Sequence, residues 1–294
     1  MKEIVVLSGS AGTGKTAVAA SLAILVQGKV MVDCDTEAGC LTRLLKPAVK
    51  EKQTLSNAQV AVLDEEICNQ CGQCERVCRF GAIQDVINNC QISAVACIGC
   101  GFCFNVCPEG AITLQEIESG YVFSSRTEYG PLIHADLAIL QENSGQLISL
   151  ARQKAKQIAR QENLKWIIGD GPPGLGSPVL SSLFETSLAV LVVEPVLTAI
   201  SDLEYLLAAC GRFKVPAVVC LNQYDINAGN TAKIESFCAE HGIKIAARFP
   251  FADAFTGAIL HGLPVKEDEQ VHTSPEMATL WESITAILNQ PKMN

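Results

Sequence analysis

Aromatic residues make up only 5% of the 294 residues, and there are four histidines. The core must therefore come from aliphatic side chains, which suits an α/β protein built on Val, Ile, Leu and Ala. His134, His241, His261 and His272 are scattered and form no metal-binding pattern. Positive charge is also short, with 22 Lys and Arg against 31 Asp and Glu for a formal net charge of −9. An acidic chain of this kind argues against a nucleic-acid partner. The basic stretch Arg152 to Arg160 reads as the wet face of an amphipathic helix whose apolar side is Leu147, Ile148, Ala151, Ala155 and Ile158. Long apolar runs are missing as well. Leu188 to Val193 is stopped by Glu194, and nothing approaches the roughly 20 residues a membrane helix needs. The run Ile4 to Leu7 is too short for a secretory leader and leads straight into a glycine loop. A cytoplasmic protein with reduced cysteines and no membrane partner is expected.

Cysteine, by contrast, is abundant, and eight of the 14 obey one offset. Cys68, Cys71, Cys74 and Cys78 form a C-x2-C-x2-C-x3-C run. Adding 29 to each position gives Cys97, Cys100, Cys103 and Cys107, and Gly81, Ala82 and Ile83 map in the same way onto Gly110, Ala111 and Ile112. The segment is an internal duplication. Two residues between thiolates let one loop wrap three corners of a cube while its backbone N–H groups point at the sulfurs. Disulfides would need a secretory setting, and zinc sites use paired C-x2-C knuckles instead of triplets. Residues 64 to 116 resemble the two-cluster bacterial ferredoxins, whose fourth cysteine ligates the other cluster. The resemblance implies one 4Fe-4S cluster on Cys68, Cys71, Cys74 and Cys107 and a second on Cys97, Cys100, Cys103 and Cys78. Pro108 follows the second run as in the family, whereas the first has Arg79 there, a change that alters the local field and removes no ligand.

Lys2 to Leu7 reads as a buried parallel strand running into Gly9-Ser10-Ala11-Gly12-Thr13-Gly14-Lys15-Thr16 and then the helical pattern Ala17 to Val26. This is G-x4-G-K-T in the strand, loop, helix setting that a P-loop requires. Backbone N–H groups from Gly12 to Thr16 would surround a β-phosphate, Lys15 would reach the β- and γ-phosphates, and the Thr16 hydroxyl would coordinate Mg2+. A second strand, Lys29 to Val32, ends in Asp33-Cys34-Asp35, and a third, Trp166 to Gly169, ends in Asp170-Gly171-Pro172-Pro173-Gly174. Carboxylates at the carboxyl ends of parallel strands sit where such sheets bind ligands. Any one of these aspartates alone could be a helix cap or a turn residue. Beside the P-loop, Asp170 reads as the group holding a Mg2+-bound water, with Gly171 and Gly174 lending the loop freedom to move.

Nearly the whole chain then resembles the MinD/Mrp/NifH group of P-loop ATPases, and within it the MinD-superfamily ATPases that carry an inserted ferredoxin domain. The resemblance makes Asp33 and Asp35 switch I, with Asp35 orienting or deprotonating the attacking water, and makes Asp170 to Gly174 switch II. Val193-Glu194-Pro195 is similar to the family's E-P-T segment. Asn222 in Leu221-Asn222-Gln223-Tyr224-Asp225 would read the adenine edge, and Phe249-Pro250-Phe251 with Gly262-Leu263-Pro264 would close around the base. The implied fold is α/β, a mostly parallel helix-flanked sheet, with an inserted small α+β ferredoxin domain. The ATPase would comprise residues 1–60 and 117–294 and the ferredoxin 61–116. Further strands are expected at Leu188 to Val193 and Val215 to Leu221, a returning connection at Gly120 to Asn143, and a last helix near Pro275 to Leu288. That helix has no Lys or Arg before Lys292, so it lacks the charges of a membrane-binding amphipathic helix.

Two departures stand out. The family's signature lysine in K-G-G-x-G-K-T is Ser10 here. In relatives that lysine crosses a nucleotide-sandwich dimer to the partner's phosphates, so the resemblance implies slow ATP turnover for this chain alone and a dimer that is either a homodimer or a heterodimer with a lysine-bearing paralogue. Ser177 stands where many ferredoxin-bearing relatives have Cys, which leaves the iron chemistry to the insert. Cys210, Cys220 and Cys238 show no ligand spacing and read as packing residues, while Cys34 and Cys40 beside switch I leave packing and a redox role both open. The expected function is ATP-dependent electron transfer to a redox partner through two 4Fe-4S clusters. The alternative is an ATP-dependent cluster carrier or assembly factor, or a MinD-like redox-sensing regulator.

Overall fold

The computed structural model describes residues 1–35, 40–55, 58–78, 81–85, 90–94, 96–97, 99–118, 120–137, 144–251 and 274–290. Arg79, Gly262 to Pro264, His261, His272 and Lys292 lie outside the described residues. Within them the chain runs β1 (Lys2–Ser8), α1 (Lys15–Leu25), β2 (Lys29–Asp33), α2 (Cys40–Leu45), β3 (Ala48–Leu55), β4 (Ala58–Leu63), α3 (Gln73–Val77), β5 (Ile83–Asp85), β6 (Cys90–Ile92), α4 (Phe102–Val106), β7 (Ile112–Ile117), β8 (Gly120–Thr127), β9 (Gly130–Leu137), α5 (Ser144–Gln161), β10 (Trp166–Pro173), α6 (Ser177–Leu183), β11 (Leu188–Val193), α7 (Ala199–Arg212), β12 (Ala217–Asn222), α8 (Ala228–Glu240), β13 (Ile245–Phe249) and α9 (Pro275–Leu288). Two compact units form: Met1–Gln53 with Val122–Asp136 and Ser144–Asn294, and Thr54–Tyr121 with Leu137–Asn143.

The first unit is built on a nine-stranded sheet in the order β13-β12-β11-β1-β10-β2-β9-β8-β3, and every pairing from β13 to β9 is parallel. Its central strands are apolar along both faces, as a parallel sheet covered on both sides must be. Alternate residues of β1 divide between the two faces. Ile4 and Val6 join a core with Leu22 of α1 and Leu280 and Ile284 of α9. Val5 and Leu7 join another with Val179 of α6 and Leu203 and Leu206 of α7. Among the described residues, no helix is long and apolar enough to cross a membrane.

Two expectations are overturned here. The stretch 120–137 of the supposed connection is β8 and β9, which widen the sheet beyond β2, with Asp33 in register with His134. Its Gly, Ser and Pro content hid the strands, because Val122, Ser124 and Ser125 are buried with little apolar alternation to betray them. The helix α5 is amphipathic, but Arg152 is not on its wet face. It is 6% exposed and donates to Glu3 Oε1 at 2.5 Å, to the carbonyls of Ser181 and Phe184 at 2.5 and 2.6 Å, and to Thr186 Oγ1 at 3.0 Å. A guanidinium has enough donors to satisfy all four acceptors at once, which an ammonium cannot do in this planar arrangement.

The second unit repeats in its backbone what the cysteines repeat in sequence. The helices α3 and α4 each follow a left-handed glycine, Gly72 with φ 66° and Gly101 with φ 76°. Its strands pair antiparallel across the two halves, β4 with β7 and β5 with β6. Leu63 opposite Ile112 is the repeat image of Ile92 opposite Ile83. Crossed pairing of this kind brings the second strand of each half against the first strand of the other.

Candidate functional site

The residues expected to bind nucleotide converge at the carboxyl edge of the parallel sheet, where β12, β11, β1, β10 and β2 end side by side. The loop after β1 is shaped by the Ser8 hydroxyl donating to the Ser10 carbonyl at 2.8 Å and by left-handed Gly12 and Gly14. Gly14, at φ 85°, caps α1, and a Cβ there would collide with the Asn222 amide. Asn222 Nδ2 donates to the Thr13 carbonyl at 2.9 Å, so this side chain braces the P-loop from the end of β12. Ala11 and Gly12 are exposed and Thr16 is half-buried on the first turn of α1. Pro250 is exposed at the end of β13.

Lys15 is 5% exposed and lies among three carboxylates, with Nζ 2.7 Å from Asp170 Oδ1 and 3.8 Å from Asp35 Oδ2. Burial opposes its charge, but Asp170, Asp35 and Asp33 outweigh that and hold its pKa above the usual lysine value. Burial raises the Asp170 pKa against the lowering pull of Lys15 and of the hydrogen bonds from Lys15 and Thr16. Burial, then the neighbouring Asp170 charge, pushes Asp33 well up. Asp33 and Asp170 are in strand register on β2 and β10, which brings the Asp170 charge against Asp33. Asp33 Oδ1 accepts the Asp35 N–H at 3.1 Å, whereas Asp33 Oδ2, Asp170 Oδ2 and Thr13 Oγ1 are buried without a hydrogen-bond partner among the described residues. Buried oxygens of this type normally find water or a cation. The two orphan carboxylate oxygens, with the Thr16 hydroxyl that bonds to Asp170, fit Mg2+ and its waters.

Gly171 belongs to the buried strand β10, not to a loop. A Cβ there would meet Leu7 and the Val6 carbonyl, so its glycine permits the close approach of β10 to β1. Gly174, with φ 92°, is the residue that starts the turn, and its N–H is held by the Ser8 carbonyl at 3.1 Å. At the signature-lysine position, Ser10 lines a small cavity with Gly9, Thr13, Glu194 and Asp202. Burial raises the Glu194 pKa.

In the iron-sulfur unit, the eight cysteines line two separate cavities. One has Cys68, Cys71, Cys74 and Cys107 in its wall, and the other Cys78, Cys97, Cys100 and Cys103. This is the crossed set that the ferredoxin resemblance implies. Backbone N–H groups reach the sulfurs as cluster ligands require, from Gln70 to Cys68 at 3.4 Å, from Ala61 to Cys97 at 3.3 Å and from Ala111 to Cys107 at 3.3 Å. Among the described residues, no three His, Cys, Asp or Glu side chains meet closely enough to hold a single metal ion. Four thiols spread around a hollow suit a polynuclear cluster. A ninth cysteine, Cys90 on β6, also lines the first cavity, with its sulfur 3.7 Å from Cys74 Sγ. It lies outside the ligand spacing, and the one available sequence signal was that its repeat position is Ala61. Cys34, Cys210, Cys220 and Cys238 are buried, with thiols pushed up by burial, to about 11 at Cys210 and Cys238. They fill core positions, while Cys40 is half-buried beside Asp35.

Comparison with known proteins places these features. Residues 61–84 and 91–112 each match a family described as a 4Fe-4S binding domain. The uncharacterized protein MJ0578 of Methanocaldococcus jannaschii is 32% identical over 229 residues, which are 76% of this chain and 79% of that protein. Among solved structures, the septum site-determining protein MinD of Pyrococcus horikoshii, complexed with Mg-ADP, aligns at a TM-score of 0.58 and 16% identity over 98% of this chain and 97% of its own. A chain of the MinC:MinD cell division protein complex of Aquifex aeolicus aligns at 0.55 and 15% identity, over 99% of this chain and 97% of its own. At those identities the solved structures speak for the fold.

Proposed function

The chain belongs to one family with the Methanocaldococcus jannaschii protein, on the fold of the MinD-type P-loop ATPases with two 4Fe-4S-binding segments set into it, and from that premise we propose that it is an ATP-dependent iron-sulfur protein in which nucleotide state governs electron transfer. The observation that carries the proposal is the path of the chain. It leaves the sheet soon after Asp33 and Asp35, at β3, and returns at β8 and β9, with β9 paired to the Asp33 strand. A shift of the switch residues therefore acts on the strand next to the one that re-enters from the iron-sulfur segment.

In this reading, Lys15 turns from Asp170 and Asp35 to the β- and γ-phosphates, backbone N–H groups of Gly12 to Thr16 take the β-phosphate, and Thr16 with Asp33 and Asp170 holds Mg2+ and its waters. Asp35 orients the attacking water. Releasing Asp170 from Lys15 frees the segment that runs to Gly174, which gives the nucleotide a lever on local structure. The clusters would supply one-electron transfer, with field and solvent exposure setting their potentials. The residues 1–60 and 117–294 would act as the ATPase and 61–116 as the electron carrier. A dimer is the working form, either of two copies or with a paralogue whose lysine replaces the one absent at Ser10, and a redox protein is the partner served.

An anaerobic redox titration followed by electron paramagnetic resonance, with and without Mg-ATP, tests this. A reproducible nucleotide-dependent shift in potential or spectrum is expected. Clusters that are present and indifferent to ATP would refute the coupling.

A further inference from the structure

The two cluster cavities come from one duplicated segment, and they differ in one respect that bears on cluster chemistry. Cys90 lines the first cavity. Subtracting the repeat offset of 29 gives Ala61, which lines the second. The positions correspond in the backbone as well: Cys90 opens β6 opposite Asp85, and Ala61 faces Leu114 two residues before the matching Leu63–Ile112 pair. Cys74 and its image Cys103 are equally buried, at 8% each. One cavity thus holds five thiols and the other four thiols and a methyl group.

The fifth thiol is well placed to reach a cluster. Cys90 is 9% exposed, its Sγ is 3.7 Å from Cys74 Sγ, and both residues line the same hollow. Sulfurs at that separation can reach a common iron at an ordinary iron–thiolate distance with little more than a side-chain rotation.

We propose that Cys90 is a reserve ligand of the first 4Fe-4S cluster, able to replace Cys74 on the same iron. In the exchange the iron–sulfur bond to Cys74 breaks, a bond to Cys90 forms, and the Cys90 thiol proton passes to the Cys74 sulfur, so no electron is gained or lost. The consequence is an asymmetric pair of clusters. The first survives loss or modification of its third ligand, and the second does not. The inference rests on cluster binding by the two cavities and is independent of any coupling to ATP.

The test compares purified, anaerobically reconstituted full-length variants by iron and acid-labile sulfide per chain and by electron paramagnetic resonance of the oxidised protein, in which a three-iron cluster is paramagnetic and an intact four-iron cluster is silent. Wild type should hold about eight irons. Cys74→Ala should keep that content and stay silent. Cys74→Ala with Cys90→Ala should lose the first cluster or show the three-iron signal, and Cys103→Ala should do the same at the second. Adding Ala61→Cys to Cys103→Ala should restore the lost iron, a gain that a folding defect cannot imitate. Equal iron loss in Cys74→Ala and Cys103→Ala, or failure of Ala61→Cys to rescue, would overturn the proposal. Wild type without iron would overturn the cluster assignment itself, so the two failures are distinguishable.

Discussion

Arg152→Met isolates the buried network that the sequence disguised as surface charge. The guanidinium and the Glu3 carboxylate are each 8% exposed in their side chains, and the same guanidinium satisfies the Ser181 and Phe184 carbonyls. Removing it leaves a carboxylate and two carbonyls in the interior. Losing one partner of a buried pair typically costs about 3–5 kcal/mol, and each orphaned neutral acceptor about 1 kcal/mol or more. Lys156 Nζ remains 3.5 Å from the Glu3 carboxylate and can take up part of the charge, which places the expected loss near the lower figure, about 3 kcal/mol. The two tryptophans of the chain, Trp166 and Trp281, stack edge to face at 4.9 Å within the sheet unit. Their fluorescence therefore follows unfolding of that unit.

With a urea slope of roughly 2–3 kcal/mol per molar for a unit of this size, the midpoint should fall by about 1–1.5 M. The companion variant with both Glu3→Met and Arg152→Met should recover about 1–2 kcal/mol of the loss, because the stranded charge is gone while the carbonyls stay unpaired. An Arg152→Met midpoint within experimental error of wild type would refute the reasoning. So would a double variant as unstable as the sum of the two singles.

Cys78→Ala should abolish the cluster of the second cysteine run and spare the first, halving iron to about four per chain and leaving one set of cluster signals; loss of the first cluster instead would refute the crossed assignment. Asp33→Asn should raise the apo unfolding midpoint at neutral pH while weakening Mg-nucleotide affinity, measured by thermal melts and calorimetric titration. The sign follows from the raised Asp33 pKa: its contribution to stability is complete below the ordinary carboxylate value and is lost as pH rises through the higher folded value. The stability–pH curve of Asp33→Asn should accordingly be flatter above about pH 4 than that of wild type. Ser10→Lys should increase steady-state ATP turnover of the isolated protein by at least about tenfold if a dimer forms, and unchanged turnover in a dimer demonstrated by light scattering would count against a missing trans lysine.

Much of this protein is written in contiguous stretches. The P-loop, the Asp33 and Asp170 strand ends and the two cysteine runs need only a few neighbouring residues at set spacing, because a phosphate cradle and three corners of a cluster are local structures. A 29-residue repeat announces its own symmetry, and apolar runs such as Leu188 to Val193 mark buried strands without help from elsewhere. Residues distant in sequence decided the rest. Burial in the folded sheet raised the carboxyl pKa of both Asp33 and Asp170, and strand register set Asp33 beside Asp170, 137 positions later, which pushed Asp33 up further. The packing of α5 joined Arg152 to Glu3 and took one residue of a basic stretch into a buried pair. Cross-pairing of the duplicated halves carried Cys90 to Cys74, where no spacing rule would look. Local spacing specifies which atoms can bind; only the folded chain decides which charges lose water and which thiols share a cavity, since both depend on contacts between residues far apart in the sequence.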